Sequence, residues 1–205
     1  MLRCLYMNQW QKMSVKFSLL LVFLCCLSAT SKVDALTFES RDFDALVSES
    51  DQIVIGAAIS ANARRTGKRE IVTDYRFSDL EIIKGIASTN AITLTMLGGT
   101  VGSESLTIAG APTFQRGNRY LIFIAGNGSV MFPLVGGRQG IFQIRKDELT
   151  GISRVHDHAG RSVVRLPGAT GANLSDRFET DPADAMSEAT FIDAIRVALG
   201  KRRGQ

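Results

Sequence analysis

The chain has 205 residues, 45% hydrophobic and 21% charged, with 24 Lys and Arg, 20 Asp and Glu, and three cysteines. Its basic surplus belongs to the first 35 residues, whose four cations and one acid leave 20 basic and 19 acidic residues behind them. That near-neutral remainder excludes an electrostatic case for nucleic acid or an anionic membrane surface as partner. Cys4, Cys25 and Cys26 all lie in the same opening stretch, which excludes a disulfide-stapled scaffold for the rest.

Residues 1–35 read as a secretory signal peptide. Arg3, Lys12 and Lys16 precede the apolar run Phe17-Ser-Leu-Leu-Leu-Val-Phe-Leu-Cys-Cys-Leu-Ser-Ala29, and Val33-Asp-Ala35 offers small residues at −3 and −1. The run falls short of the roughly 20 apolar residues that span a bilayer, so no stable membrane insertion is expected once it is cleaved. Retention of the leader as an uncleaved anchor, and a start at Met13 instead of Met1, stay open. Leu24 before Cys25 speaks against a lipoprotein site. The expected compartment is periplasmic or secreted, and residues from 36 onward must be held by an ordinary hydrophobic core.

A short helix is expected after Ser40, since Phe43, Leu46 and Val47 fall at i, i+3, i+4. A strand over 52–60 leads to a polar hairpin tip, 61–70, carrying Arg64, Arg65, Lys68 and Arg69. That cluster reads as a solvated loop, or as a contact for an acidic glycan or phosphate surface. Residues 71–77 alternate, placing Ile71, Thr73, Tyr75 and Phe77 on one face. Beyond Ser78-Asp79 the apolar positions shift to Leu80 and Ile82, and such a phase slip predicts a β-bulge or sharp bend.

Further strands are expected at 91–97, 105–109, 120–125, 130–135 and 140–145, followed by a hairpin of 153–157 and 161–166. The unbroken apolar run 120–125 suits a strand buried on both faces. Residues 167–181 are polar and glycine-bearing and read as a flexible linker. A closing helix over 182–200 starts at Asp181-Pro182 or at Ser187, buries Phe191, Ile192, Ile195, Ala198 and Leu199, and stops at Gly200. Many short strands between two helices predict a mainly β fold. The expectation is a small OB-like antiparallel barrel, closed or partly open, over 36–166, with a short N-terminal helix and a C-terminal helix.

Candidate chemistry is sparse. Gly98-Gly99-Thr-Val-Gly102 and Gly136-Gly137-Arg-Gln-Gly140 resemble phosphate loops, yet no helix is expected after either, so tight turns or bulges are the plainer reading. Gly99, Gly102, Arg138 and Gln139 are the candidate ligand-binding residues, the last two as a polar recognition tip. His156 and His158, flanking Asp157, would share one face of a strand and supply two metal ligands, with no cysteine or third histidine to complete the set. No Gly-x-Ser-x-Gly elbow is present, so no catalytic residue is named and no cofactor is expected. Asp79 is either a functional acid or the mark of the bulge.

A motif string carries a resemblance. Ser50-Asp-Gln-Ile-Val-Ile-Gly56, Val72-Thr-Asp-Tyr-Arg-Phe-Ser-Asp-Leu-Glu-Ile-Ile-Lys-Gly85 and Leu97-Gly-Gly-Thr-Val-Gly102 are similar to segments of bacterial exported proteins of unknown function. So are Gly110-Ala-Pro-Thr-Phe-Gln-Arg-Gly-Asn-Arg-Tyr-Leu-Ile-Phe123 and Val135-Gly-Gly-Arg-Gln-Gly-Ile-Phe142. The resemblance covers about residues 42–164 and implies an OB-type barrel akin to the netrin-like domain of the tissue inhibitors of metalloproteinases. Those inhibitors chelate zinc through a disulfide-anchored N-terminal cysteine, which residues from 36 onward lack, so that mechanism is not carried over. No His-Glu-x-x-His protease motif is present either.

The leading expectation is an exported, non-enzymatic binding or accessory module of the cell envelope, with a protein or glycan partner. The alternative is a small secreted hydrolase or metal-dependent enzyme using His156, Asp157 and His158. The oligomeric state stays open.

Overall fold

The computed structural model describes residues 39–67, 70–86, 89–166, 178–179 and 184–203, all within the unit that begins at Ala35. The expected signal peptide and most of the expected linker lie outside the described residues. The chain runs through helix α1 (Phe43–Glu49) into strands β1 (Gln52–Arg65), β2 (Ile71–Lys84), β3 (Ala91–Leu97), β4 (Gly99–Val101), β5 (Glu104–Leu106) and β6 (Arg119–Ile124). A 3₁₀ turn (Gly137–Gly140) precedes β7 (Ile141–Lys146), β8 (Ser153–Asp157), β9 (Ser162–Val163), β10 (Phe178–Glu179) and helix α2 (Glu188–Arg203).

Eight strands form one antiparallel sheet in the order β10-β9-β8-β7-β6-β1-β2-β3, with β4 and β5 as a separate two-stranded ribbon. The class is mainly β, as expected. The sheet does not close: its hydrogen bonding runs from β10 to β3 with no pairing between those edges among the described residues. The edge of β3 is instead covered by a loop, where Leu97 N donates to Met131 O (3.1 Å) and Asn127 Nδ2 to Thr93 O (2.9 Å). Contacts at Thr93 and Leu97 blunt that edge as a template for pairing with another chain.

The central strands explain their own sequence. On β6, Leu121 and Phe123 face the two helices, while Ile122 and Ile124 face the opposite side, and all four are buried. A strand covered on both faces has no polar position to alternate with. On the helical side, Phe43, Leu46 and Val47 of α1 and Phe191, Ile192 and Ile195 of α2 close the core. On the other side Phe114 and Leu134, from irregular segments, do the same for Val54, Phe77 and Leu94.

The phase slip at Ser78-Asp79 is a bulge. Ile55 pairs with Glu81 and Ala57 with Ser78, so Gly56 alone opposes Asp79 and Leu80. Asp79 takes the left-handed conformation (φ 53°), which Asp tolerates better than most side chains do. Its carboxylate accepts from the Ser78 hydroxyl (3.4 Å) rather than from backbone.

Several boundaries differ from expectation. Strand β1 runs to Arg65 through half of the expected tip, where Arg64 pairs with Asp74 and Arg65 with Glu104 (2.6 Å each). Those pairs offset two cations of the basic cluster. Residues 130–135 form no strand, only a single bridge from Leu134 to Ile124, because Pro133 has no N–H to give a ladder. Phe178–Glu179, placed in the linker by composition, pairs with β9. Helix α2 begins at Glu188, with Ser187 Oγ accepting from Thr190 N (3.1 Å), and it continues through Gly200 to Arg203. An exposed glycine costs a helix about 1 kcal/mol and does not by itself end one.

Candidate functional site

The distal half of the β1–β2 hairpin extends past β6, which pairs only with residues 52–57 of β1. On that overhang the alternation of β2 puts Thr73 and Tyr75 on one face. The chain leaves β3 through Gly98 and Gly99 and crosses this face as the β4–β5 ribbon. The crossing is close: Gly98 N donates to Ile71 O (2.8 Å), and Thr73 Oγ1 donates to Gly98 O (2.7 Å). Gly98 and Gly99 hold φ of 109° and 136°. A Cβ on Gly99 would overlap Thr73 Oγ1 and sit 3.0 Å from Ala63 Cβ. Only glycine fits there.

Between this crossing and the returning segment 107–113 lies a cleft of about 330 Å³. Its lining includes the hydroxyl-bearing residues Thr73, Tyr75, Thr100, Ser105, Thr107 and Thr113 together with the apolar Met96, Leu106 and Ile108. No acidic or basic side chain lines it. Burial raises the Tyr75 phenol above its ordinary pKa, so it stays protonated and can both donate and accept.

The returning wall is fixed by buried anchors. Phe114 is buried and meets Tyr75, Phe77 and Tyr120 edge to face, with ring centroids 4.9–5.2 Å apart. Tyr120 Oη accepts from Gln115 N (2.9 Å), and Arg138 donates to the Ala111 carbonyl (3.0 Å). Such a wall needs little ordering when a ligand arrives.

The candidate residues named from sequence are dispersed. Gly99 lines the cleft, whereas Gly102 (φ 60°) forms the exposed tip of the β4–β5 ribbon with nothing within 4 Å of a Cβ placed on it. Arg138 acts on the cleft through Ala111. Gln139 serves another purpose: its Oε1 accepts from Arg41 N (2.9 Å), and its Nε2 donates to Glu39 O (3.0 Å), tying the segment before α1 to the 3₁₀ turn. That turn occupies Gly137–Gly140, where an ordinary turn or bulge was expected. Thr73, Tyr75, Thr100, Ser105, Thr107 and Thr113 were not singled out. The signal available was the shared face of Thr73 and Tyr75, which reads equally as ordinary strand composition.

The two histidines part company. Strand β8 ends at Asp157, so His156 lies in the strand, 4% exposed, and His158 in the turn beyond it, exposed. His156 Nδ1 is buried without a hydrogen-bond partner. Burial foremost, then the nearby Arg145 and Arg154 cations, hold the His156 pKa below 6.5 against the pull of Asp157 and the Gly160 carbonyl. Between them Asp157 organises the hairpin. Its Oδ1 accepts from Ala159 N (3.0 Å) and Arg161 N (2.8 Å), and its Oδ2 takes the Arg161 guanidinium (2.7 Å). Among the described residues no group of three or more His, Cys, Asp or Glu side chains gathers there or elsewhere.

A second, wider groove of about 740 Å³ opens near β3, lined by Asp51, Gln52, Ile92 and Asn127 among others. Four of its polar side chains are already engaged: Asp51 accepts from Gly126 N (2.8 Å), Gln52 donates to Ile86 O (2.6 Å), Thr89 to Ala91 O (2.8 Å) and Asn127 to Thr93 O (2.9 Å). No helix among the described residues is long and apolar enough to cross a membrane, which leaves strand-built spans unaddressed. No protein-family model, curated protein or solved structure was found to match the chain.

Proposed function

We propose that this protein is an exported binding module of the cell envelope, on a partly open OB-like half-barrel, which holds its partner in the cleft between the β4–β5 ribbon and residues 107–113. The observation that carries the reading is the chemistry of that cleft. Its walls are hydroxyl-bearing, rigidly backed and uncharged. General acid–base work needs a titratable group within hydrogen-bond reach of the substrate and matched to the working pH. A protonated tyrosine above an uncharged wall suits recognition instead. The hydrolase alternative rests on His156, Asp157 and His158, where the central carboxylate is committed to its own turn. The leader-like residues 1–35 support the compartment, and the OB-like barrel resemblance supports binding through a sheet face and its adjoining loops.

The test is retention of an envelope component on the immobilised protein. Wild type is expected to retain a protein or polysaccharide from envelope extract that Tyr75→Ala and Thr100→Val release. Equal retention by all three, or none by wild type, overturns the reading. N-terminal sequencing of the exported protein is expected to begin near Leu36.

A further inference from the structure

We infer that the cleft takes a neutral saccharide of mono- to disaccharide size, with Tyr75 beside a sugar ring and the wall hydroxyls bonded to its hydroxyl groups. This rests on the binding-module reading and names the ligand class that reading leaves open.

Charge decides first. A charged ligand group entering a site without counter-charge pays its desolvation unrelieved. The lining offers neither acid nor base, which disfavours phosphates, uronates and charged peptides. Hydrogen-bond chemistry decides next. Each hydroxyl is one donor and two acceptors and rotates to suit, so a wall of threonine, serine and tyrosine matches a polyol at many orientations. Thr100 Oγ1 and Ser105 Oγ already bond one another (3.0 Å), and Thr73 is held by Gly98, so these groups are pre-oriented.

Tyr75 is the third point. Its half-buried ring is held edge to face against Phe114, and its hydroxyl makes no hydrogen bond to the described residues. A ring fixed on one side with a free polar tip suits a ligand that is apolar on its faces and polar at its rim, as a pyranose is. The volume, about 330 Å³, lies at the small end of the roughly 300–1,000 Å³ typical of ligand pockets.

The experiment is saturation-transfer NMR on the protein purified from cells expressing the full chain. The probes are maltose, cellobiose and N,N′-diacetylchitobiose, with glucuronic acid and a capped peptide of aspartate and lysine as charged contrasts. At least one neutral disaccharide is expected to receive saturation on its ring protons, and glucuronic acid and the peptide none. Tyr75→Ala is expected to weaken binding by about tenfold. Tyr75→Phe and Thr100→Val, which each delete one hydroxyl, are expected to weaken it by about threefold or more. Leu149→Ser, on a hairpin tip where the side chain is 97% exposed, is expected to change nothing.

Silence from all three disaccharides overturns the inference, as does saturation that neither Tyr75→Phe nor Thr100→Val reduces. Those two milder variants keep it testable should Tyr75→Ala fail to fold. If the saccharides are silent while Tyr75 still governs retention of an envelope component, the saccharide inference falls alone. If both fail, the binding-module reading falls with it.

Discussion

At Gly99 the backbone holds φ 136° while the chain passes within van der Waals reach of Thr73 and Ala63. Gly99→Ala is therefore expected to cost about 2–4 kcal/mol, combining backbone strain with overpacking. Gly102→Ala meets no neighbour and carries only the left-handed penalty of about 1 kcal/mol. Urea unfolding of the two variants checks the difference, and equal midpoints would show that the ribbon does not cross β2 as closely as described. His156 is the second residue with a measurable consequence. In the unfolded chain its ring takes up a proton near pH 6.5, but in the folded protein only at lower pH. Between those values the unfolded state binds more protons, so stability falls as pH drops below about 7 and is fully present above that. Unfolding curves at about pH 7.5 and pH 5.5 should show this loss, and His156→Gln should shrink it.

Helix α1 has seven residues, too few to stand alone in water. Its ends are held by side chains. Asp42 Oδ1 accepts from Ala45 N (2.7 Å) at the start. At the finish Lys84, reaching from β2, donates Nζ to the carbonyls of Val47 (2.8 Å), Ser48 (3.2 Å) and Ser50 (2.5 Å). Loss of that cation at the negative helix end, as in Lys84→Met, is expected to cost about 1–2 kcal/mol by denaturant titration. Helix α2 is tied in by Phe191, fully buried, whose ring meets Phe43 (5.5 Å) and Phe142 (4.8 Å). Phe191→Ala is expected to cost about 3–5 kcal/mol, because the cavity would open where α1, α2 and β7 converge. A cost near that of an exposed truncation would mean that α2 does not close the core.

The unit from Ala35 onward is, over its described residues, a sheet with two dissimilar covers. Helices close one face, and irregular segments anchored by Phe114 and Leu134 close the other. No thiol lies beyond Cys26, so no disulfide within residues 36–205 holds the folded unit, and burial is its main support. Its melting temperature is accordingly expected to be the same with and without a reductant. A drop on reduction would reveal that the segment holding Cys4, Cys25 and Cys26 remains attached and cross-linked. The cleft belongs to this scale too, since it exists only where a ribbon crosses the overhang of a hairpin and a third segment returns beside it.

Local pattern determined much of this protein. The run 120–125 announced burial on both faces, the slip after Asp79 announced a bulge, and the spacing of Phe191, Ile192 and Ile195 announced a buried helix face, because burial and backbone phase leave periodic marks on neighbouring residues. The register of β1 against both β2 and β6, the failure of the sheet to close and the cleft were decided by tertiary structure alone. Thr73, Thr100 and Thr113 are ordinary strand and loop residues in one dimension, and only chain crossings bring them to the lining of one cleft. Arg138 and Gln139 show the converse. Their polarity suggested recognition, yet their partners are backbone carbonyls and amides distant in sequence, and no local rule records a contact made across the fold.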